Sequence, residues 1–535
     1  MRLITSLADG ADTIAAHEAV ALGWALDAVL PFSRAEYLSD FADHQARTDH
    51  ESLLGSAHVV FELDGDRAID GGSAIAYERA GRVVLAQSDI LIAVWDGDPV
   101  RGRGGAAQIV GEAVLAGIPV VVIDPAKPDL PRLFWDGLED HDLGQQSVET
   151  VPTGDLSALP ALVCTLLDTP VAASERNMLA AFEAPVVRAR NWALAYPLLL
   201  AIVGVRRLQW SDWKPASRVT TRPDVPRTNA FGQKMASILI PRFMRADSLA
   251  TDVAQMFRSG YVTNFSFAAL AVILSLLGLA LPGALKPVLI VLEFMVIATI
   301  LIVTRAGNRA QWHRRWLDNR HLAERLRCLA VAAQLGELEL RTGTGLRPGW
   351  VDWYARATAR ALGLPSARVD PAYLANVRNA LTGLIDDQIA YLHNDARRMH
   401  RLEHRLHKLG TLLFALTALV CICLLALKMA DEIGGLAMPD AMVDPFLTAA
   451  TIASAAFPAM GAAIYGIRMQ GDFAGIAERS EALARDLTTL RHAIDGDALS
   501  FDTLKRRVSR ATDLMTRDLA RWLQTYHARP LTLPG

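Results

Sequence analysis

The sequence predicts an α/β sheet domain followed by an all-α membrane domain, and three observations carry that prediction. Short β-rich runs alternate with helix-like segments over residues 1–170. Four apolar runs, each long enough to cross a bilayer, follow between residues 261 and 467. Hydrophobic residues make up 52% of the 535 residues, and the mean hydropathy of +0.22 is high for a chain without membrane segments.

The β-rich runs are residues 2–6, 28–32, 90–95 and 120–123, and residues 12–26 and 106–116 have helical character. Alternation of this kind predicts a parallel, doubly wound sheet. The stretch PVVVIDPAKPD has the unbroken apolar run of a strand covered on both faces. The first residues place Asp9 and Asp12 where a signal peptide would have its apolar core, so no such peptide is expected.

The membrane runs are 261–281, 286–304, 409–427 and 446–467. Lipid requires them to be helices, because unsatisfied backbone groups are too costly there. PGALKP joins the first two, and a segment with Asp431, Glu432, Asp440 and Asp444 joins the last two, giving two hairpins. Arg242, Arg245 and Arg258 precede the first run and Arg305, Arg309, Arg314 and Arg315 follow the second. Arg397, Arg398, Arg401, Arg405 and Lys408 precede the third, and Arg468 follows the fourth. The connecting turns hold only Lys286 and Lys428. The positive-inside rule then predicts a multi-pass inner-membrane protein with both termini in the cytoplasm. A further apolar segment, 192–205, is shorter than a span needs and has arginines on both sides. It is expected to lie at the interface or buried, a short span being the alternative.

The expected organisation is a sheet domain at 1–170, a linker or interfacial segment at 171–260, a first hairpin with its helix at 261–345, a helical region at 346–408, a second hairpin with its helix at 409–525, and a tail at 526–535. WLDNRHLAERLRCLA after the second span and FAGIAERSEALARDL after the fourth share an aromatic residue followed by Ala-Glu-Arg. A duplicated unit would explain both, although the triplet is common in helices.

Charge and cysteines narrow the partners. A net charge of −3 does not suggest a nucleic-acid polymer. Cys164, Cys328, Cys421 and Cys423 form no CxxC pair, which argues against a disulfide framework or a zinc site. His400, His404 and His407 share a helical spacing, but beside so many arginines they fit a helix at an anionic lipid surface better than a metal site. No resident cofactor is implied.

Two loops carry candidate chemistry. RGRGG, residues 101–105, lies between a strand and a helix start. Gly104 and Gly105 permit close backbone approach, the free N–H groups of the helix start attract anions, and Arg101 and Arg103 could contact phosphate. SLADGAD, residues 6–12, has the same placement: Gly10 allows a tight turn, and Asp9 or Asp12 either caps the helix or bonds a ribose. In the second apolar run Glu293 is out of place. It either lines a pore or is protonated and bonded to a neighbouring helix, through Ser266 or Ser275.

SLADGADTIAAHEAVALGWALDAVLPFSRAEYLSDF and SDILIAVWDGDPVRGRGGAAQIVGEAVLAGIPVVVI together resemble the SLOG superfamily, Rossmann-like domains that include the lonely-guy phosphoribohydrolases and DprA-type proteins. The resemblance covers residues 1–125 and implies binding of a nucleotide or nucleotide-derived signal. Enzymatic lonely-guy proteins carry a GGxGTxxE loop with a catalytic Glu. This chain has GGAAQIVGE, with Gln108 in the loop's first helical turn and Glu112 a turn later. Gln cannot act as a general base, which favours binding over hydrolysis. Such domains open with an earlier strand, so the expectation is that either the true start lies upstream of Met1 or one strand of the sheet and part of the pocket are missing. The paired spans followed by AERL and AERS helices, over 255–525, resemble SLATT effectors, which accompany SLOG domains in bacterial conflict systems. That pairing implies a ligand-sensing membrane effector that forms a pore or disrupts the bilayer, and a homo-oligomer is expected because four spans in one subunit seldom enclose a pore. A membrane-tethered nucleotide or phosphoribosyl hydrolase, using Glu112, Asp9 or Asp12, and a ligand-free scaffold are the alternatives.

Overall fold

The computed structural model describes residues 1–99, 102–139, 146–184, 193–209, 212, 229–338, 349–432, 440–526, 531 and 533. The N-terminal part runs β1 (Arg2–Thr5), α1 (Ala11–Ala21), β2 (Ala25–Leu30), α2 (Arg34–Tyr37), α3 (His44–Ser56), β3 (Val59–Glu62), α4 (Gly72–Gln87), β4 (Leu91–Val94), α5 (Ala106–Leu115), β5 (Val120–Ile123), β6 (Arg132–Phe134) and β7 (Thr153–Gly154). Helices α6 (Leu159–Leu167), α7 (Ala173–Glu183), α8 (Ala195–Ile202) and α9 (Ala230–Lys234) follow. A π-helical turn, Met235–Leu239, joins α9 to α10 (Ile240–Ala280). Then come α11 (Lys286–Arg309), α12 (Trp312–Ala332), α13 (Trp350–Leu362), β8 (Ala367–Arg368), α14 (Pro371–Glu432), α15 (Asp440–Gly471), α16 (Phe473–Gly496) and α17 (Phe501–Tyr526).

The expected single parallel sheet is instead two four-stranded sheets, ordered β1-β2-β3-β8 and β4-β5-β6-β7. The first is parallel throughout. The second is parallel only between β4 and β5, and β6 and β7 run antiparallel. Length explains the reversal. Residues 124–131 between β5 and β6 are too few for a parallel crossover, which takes about a dozen residues or more. Among the described residues, β1 and β4 each pair on one side only.

Strand β2 is covered on both faces. Leu26, Ala28 and Leu30 pack with Ala16 of α1 and Leu53 of α3, while Val29 joins a core that contains Val377 and Leu381 of α14 and Leu504 and Val508 of α17. The alternation of β side chains thus fastens the sheet to the long helices. Helix α17 presents Phe501, Leu504, Val508, Ala511 and Met515 to that core, spaced three and four residues apart as a helical stripe requires. The expected region at 346–408 also contributes a strand: β8 pairs with β3 in the register Phe61↔Ala367 and Glu62↔Arg368. After Val369 and Asp370 the chain enters α14, whose 62 residues extend about 93 Å at 1.5 Å per residue.

Four helices are long and apolar enough to cross a membrane. Their outer surfaces are apolar and open, with Phe294 70%, Ile302 67% and Ile422 63% exposed. Segment 171–260, expected as a linker, is packed: Phe182 of α7 lies against Trp350 and Tyr354 of α13. Of the segment at 192–205, Trp192 lies outside the described residues. The rest contains α8, eight residues long, which is too short to span and packs Tyr196 and Leu200 beside Phe257 and Tyr261 of α10. Ser259 fixes it by accepting the Tyr196 backbone N–H at 3.2 Å and donating to the Ala193 carbonyl at 2.8 Å.

The suspected internal repeat has a backbone counterpart. Gln311 and Asp472 are left-handed, with φ 49° and 43°, and each starts the helix that follows an apolar span. An aromatic residue, Trp312 or Phe473, comes next in both. The Ala-Glu-Arg triplets lie at different distances from these breaks, and Glu324 and Arg325 of α12 are buried, whereas Glu478 is exposed and Arg479 half-buried.

Candidate functional site

Both predicted loops leave a parallel strand and open a helix, and α4 stands beside each. In the first, Leu7 is buried in a left-handed conformation, and its N–H is bonded to Thr5 Oγ1 at 3.2 Å. Gly10 has φ +100° and open space where a Cβ would stand, so its requirement is conformational. Asp12 does not cap α1. Its Oδ2 accepts the Ala8 N–H at 3.3 Å and Thr13 Oγ1 donates to the Ala8 carbonyl at 2.9 Å, which braces the loop. Asp9 is exposed.

In the second loop, Arg101 lies outside the described residues. Gly104, at φ +80°, is required twice over: a Cβ there would stand 2.7 Å from the backbone nitrogen of Glu78 in α4. Gly105 is the first residue of the helix cap, and its carbonyl accepts the N–H groups of Gln108 and Ile109 at 3.1 and 3.2 Å. Gln108 ties the loop together. Its Oε1 accepts the Gly104 N–H at 2.9 Å, and its Nε2 donates to Glu78 at 2.8 Å and Glu112 at 3.0 Å. Arg103 forms an ion pair with Glu78, and Arg82 binds Glu112 at 2.7 Å and Glu78 at 2.9 Å.

The structure thus gathers Arg103, Gly104, Gly105 and Gln108 around one buried carboxylate, Glu78. Burial would raise that carboxyl, but hydrogen bonds from Arg103 and Gln108 and the charges of Arg82 and Arg103 outweigh it and hold the group below its ordinary value. The Glu112 carboxyl is lowered as well, chiefly by its hydrogen bond from Arg82. Asp9, Gly10 and Asp12 stand on the other loop, and α4 links the two. Tyr77, the residue before Glu78, packs edge-on against Phe32 with centroids 5.6 Å apart and hydrogen-bonds Asp40. The Asp12 charge and Tyr77 both act on the buried Tyr37 hydroxyl, whose ionisation is suppressed mainly by burial.

Sequence reasoning missed Tyr77, Glu78 and Arg82, together with Asp40 and Arg67, which pair at 2.5 Å. Gly71 and Gly72 ahead of α4, and Glu78 and Arg82 at i,i+4, were a signal for them. The strand before them, β3, was not recognised, so the segment had no place in the expected sheet.

In the membrane region, Glu293 is half-buried on α11 and makes no hydrogen bond or ion pair among the described residues; neither Ser266 nor Ser275 bonds it. A buried polar contact lies nearby instead, where Asn264 Nδ2 donates to Thr304 Oγ1 at 2.7 Å between α10 and α11. The three histidines do not converge: His400 meets Glu481 at 3.0 Å and His407 meets Arg468 at 3.3 Å. The AER residues of α12 serve packing and charge pairing, with Glu324 bonded by Arg327 at 2.6 Å and Arg325 paired with Asp352.

No curated protein and no solved structure matches this chain. The family described as "Protein of unknown function (DUF4231)" matches residues 245–332, which run from within α10 through α11 to the end of α12. The chain therefore carries a DUF4231 membrane domain over part of its length, preceded by an N-terminal domain that contains β-sheet.

Proposed function

We propose that this protein is a membrane effector in which the N-terminal sheet domain senses a nucleotide-derived ligand and the helical assembly responds by opening a pore or disrupting the bilayer. The observation that carries this reading is the continuity of β3, β8 and α14. A strand of the candidate sensor sheet leads directly into a membrane helix, so a shift in the sheet has a covalent route to the bilayer. The SLOG-like loops supply the sensing half, and the SLATT-like arrangement of two hairpins supplies the effector half. A ligand acts only through different affinities for the resting and active arrangements. The arginines beside the spans favour cytoplasmic termini and an inner-membrane location. The exposed apolar faces of α11 and α14 suit lipid on one side and further copies of the chain on the other, as a homo-oligomeric pore requires.

The hydrolase reading has less support. Glu112 is engaged by Arg82 and Gln108, and Asp12 braces its own loop. A thermal-shift screen of the detergent-solubilised chain against nucleotides, cyclic oligonucleotides and ADP-ribose, with product analysis of each hit, separates the readings. A shift with intact ligand supports the sensor, and binding at 100 times Kd adds about 2.7 kcal/mol. Cleaved ligand supports the hydrolase, and no shift with any compound supports the scaffold.

A further inference from the structure

A cavity of about 410 Å³ lies where the charged ends of the helices meet, far in sequence from the glycine loops. Helices α8, α10, α12, α14, α16 and α17 wall it, so it sits between the two hairpin units. Arg258, three residues before the first apolar run, places it at the level where the helices enter the membrane. Its volume falls in the ordinary range for small-molecule sites, roughly 300–1,000 Å³.

The lining is cationic: five arginines face it against three carboxylates. Three of the arginines have acidic partners. Arg206 pairs with Asp212 at 2.7 Å, Arg320 with Glu324 at 2.5 Å, and Arg479 with Asp472 at 3.0 Å. Arg258 and Arg398 differ. Neither lies within ion-pair distance of a carboxylate or donates a hydrogen bond among the described residues, and the Nε of Arg398 is buried with no acceptor. Asp395, the third carboxylate of the lining, acts on Arg258 through its charge but makes no ion pair or hydrogen bond with it or with Arg398 among the described residues. Arg258 is held between rings, 5.4 Å from the Tyr196 centroid and 5.2 Å from that of Trp316. Ring faces stabilise and orient a guanidinium but leave its N–H donors free. Two guanidinium groups with no acceptor among the described residues, in a walled cavity, leave N–H donors that an anion can complete. A phosphate does so well, because its oxygens match the fork of N–H donors.

We propose that this cavity binds a phosphate group, with Arg258 and Arg398 as its principal donors. A phosphate there would bridge α10 of the first unit to α14 of the second. The phosphate belongs either to an anionic phospholipid headgroup, reached from the adjacent bilayer surface, or to a free phosphate compound. The proposal is independent of the N-terminal loops.

The test is titration of the delipidated, detergent-solubilised full chain, followed by its melting temperature. The probes are sodium pyrophosphate, dihexanoyl phosphatidylglycerol below its micelle concentration, and dihexanoyl phosphatidylcholine as the uncharged control. The variants are Arg258→Gln, Arg258→Lys, Arg398→Gln and, as an exposed control outside the cavity, Arg401→Gln. The expected result is a saturable rise in melting temperature for the wild-type and Arg401→Gln proteins, with affinity at least tenfold weaker in Arg398→Gln and Arg258→Gln. Arg258→Lys should retain intermediate affinity, and it decides the matter if Arg258→Gln does not fold. A rise with pyrophosphate assigns a free phosphate compound, and a rise with phosphatidylglycerol alone assigns the headgroup. No rise with either anionic probe, equal rises with phosphatidylcholine, or affinities unchanged by both cavity substitutions would overturn the proposal.

Discussion

The backbone N–H of Val369 donates to the carbonyl of Glu62 at 2.7 Å, which locks β8 onto β3 immediately before the chain turns into α14. Side chains reinforce the junction around it. Arg360 grips Asp89 through two bonds of 2.7 and 2.8 Å, Arg79 reaches Asp502 of α17 at 2.7 Å, and Gln87 bonds the Gly336 carbonyl at 2.7 Å. Val369 is buried, so Val369→Pro removes a donor and leaves the Glu62 carbonyl unmet. The expected cost is about 1–3 kcal/mol, read as a lower melting temperature of the solubilised chain.

Gly104→Ala adds a methyl group where α4 backbone stands 2.7 Å away, at a φ of +80°. The loop must move, and a loss of about 1–3 kcal/mol is expected. Gly10→Ala meets nothing within 4 Å and carries only the conformational penalty, so it should cost less. Paired thermal melts of the two variants check the order; equal losses would contradict it.

Gln108→Glu exchanges a donor for an acceptor beside Glu78 and Glu112, both of which accept from the amide. The expected loss is about 1–3 kcal/mol at neutral pH. Melting of this variant against wild type at pH 7.5 tests it, and unchanged stability would mean that the amide does not hold the loop.

Burial pushes the His50 imidazole below its ordinary value, and the ring lies between Tyr37 and Phe41, 4.4 Å from the Phe41 centroid. The unfolded chain therefore binds the proton more readily than the folded one. Stability is full above the ordinary histidine range and falls as pH drops from it toward the lower folded value. Burial likewise pushes His321 down, to about 4, with Arg325 adding to the effect. Melting temperatures should be lower at pH 5.5 than at pH 7.5, and His50→Phe should reduce the difference. A difference of the same size in that variant would contradict the assignment.

Asn264→Leu removes the buried donor to Thr304 between the first two spans. Interhelical bonds in membranes contribute about 0.6 kcal/mol on average and up to about 1.7. A loss in that range in a detergent-unfolding titration is expected, with Thr304→Val giving a comparable one.

The membrane half was legible because lipid imposes a simple rule: about twenty apolar residues in a row, flanked by arginine. Strands β1, β2, β4 and β5 were legible as apolar runs next to glycine-bearing turns. Strand β3 was not, since its four residues end at Glu62 and its helix begins beyond a long acidic loop. The two residues of β8 carry no pattern of their own; tertiary pairing alone makes them a strand. At the loops, the glycines announced a turn, while Glu78, the residue that organises Arg103 and Gln108, came from a helix whose role depends on a close approach in space. The cationic cavity draws on six helices, with lining residues from Tyr196 to Met515, and no local spacing encodes it.

The central claim is that the sheet drives the membrane helices through β8. Dye efflux from proteoliposomes of the full chain tests it most directly, with nucleotides, cyclic oligonucleotides and ADP-ribose added one at a time and binding followed in parallel by thermal shift. The account predicts efflux with a compound that binds, and in Val369→Pro the same binding with efflux lost. Efflux that needs no bound compound, or that persists undiminished in Val369→Pro, would contradict it.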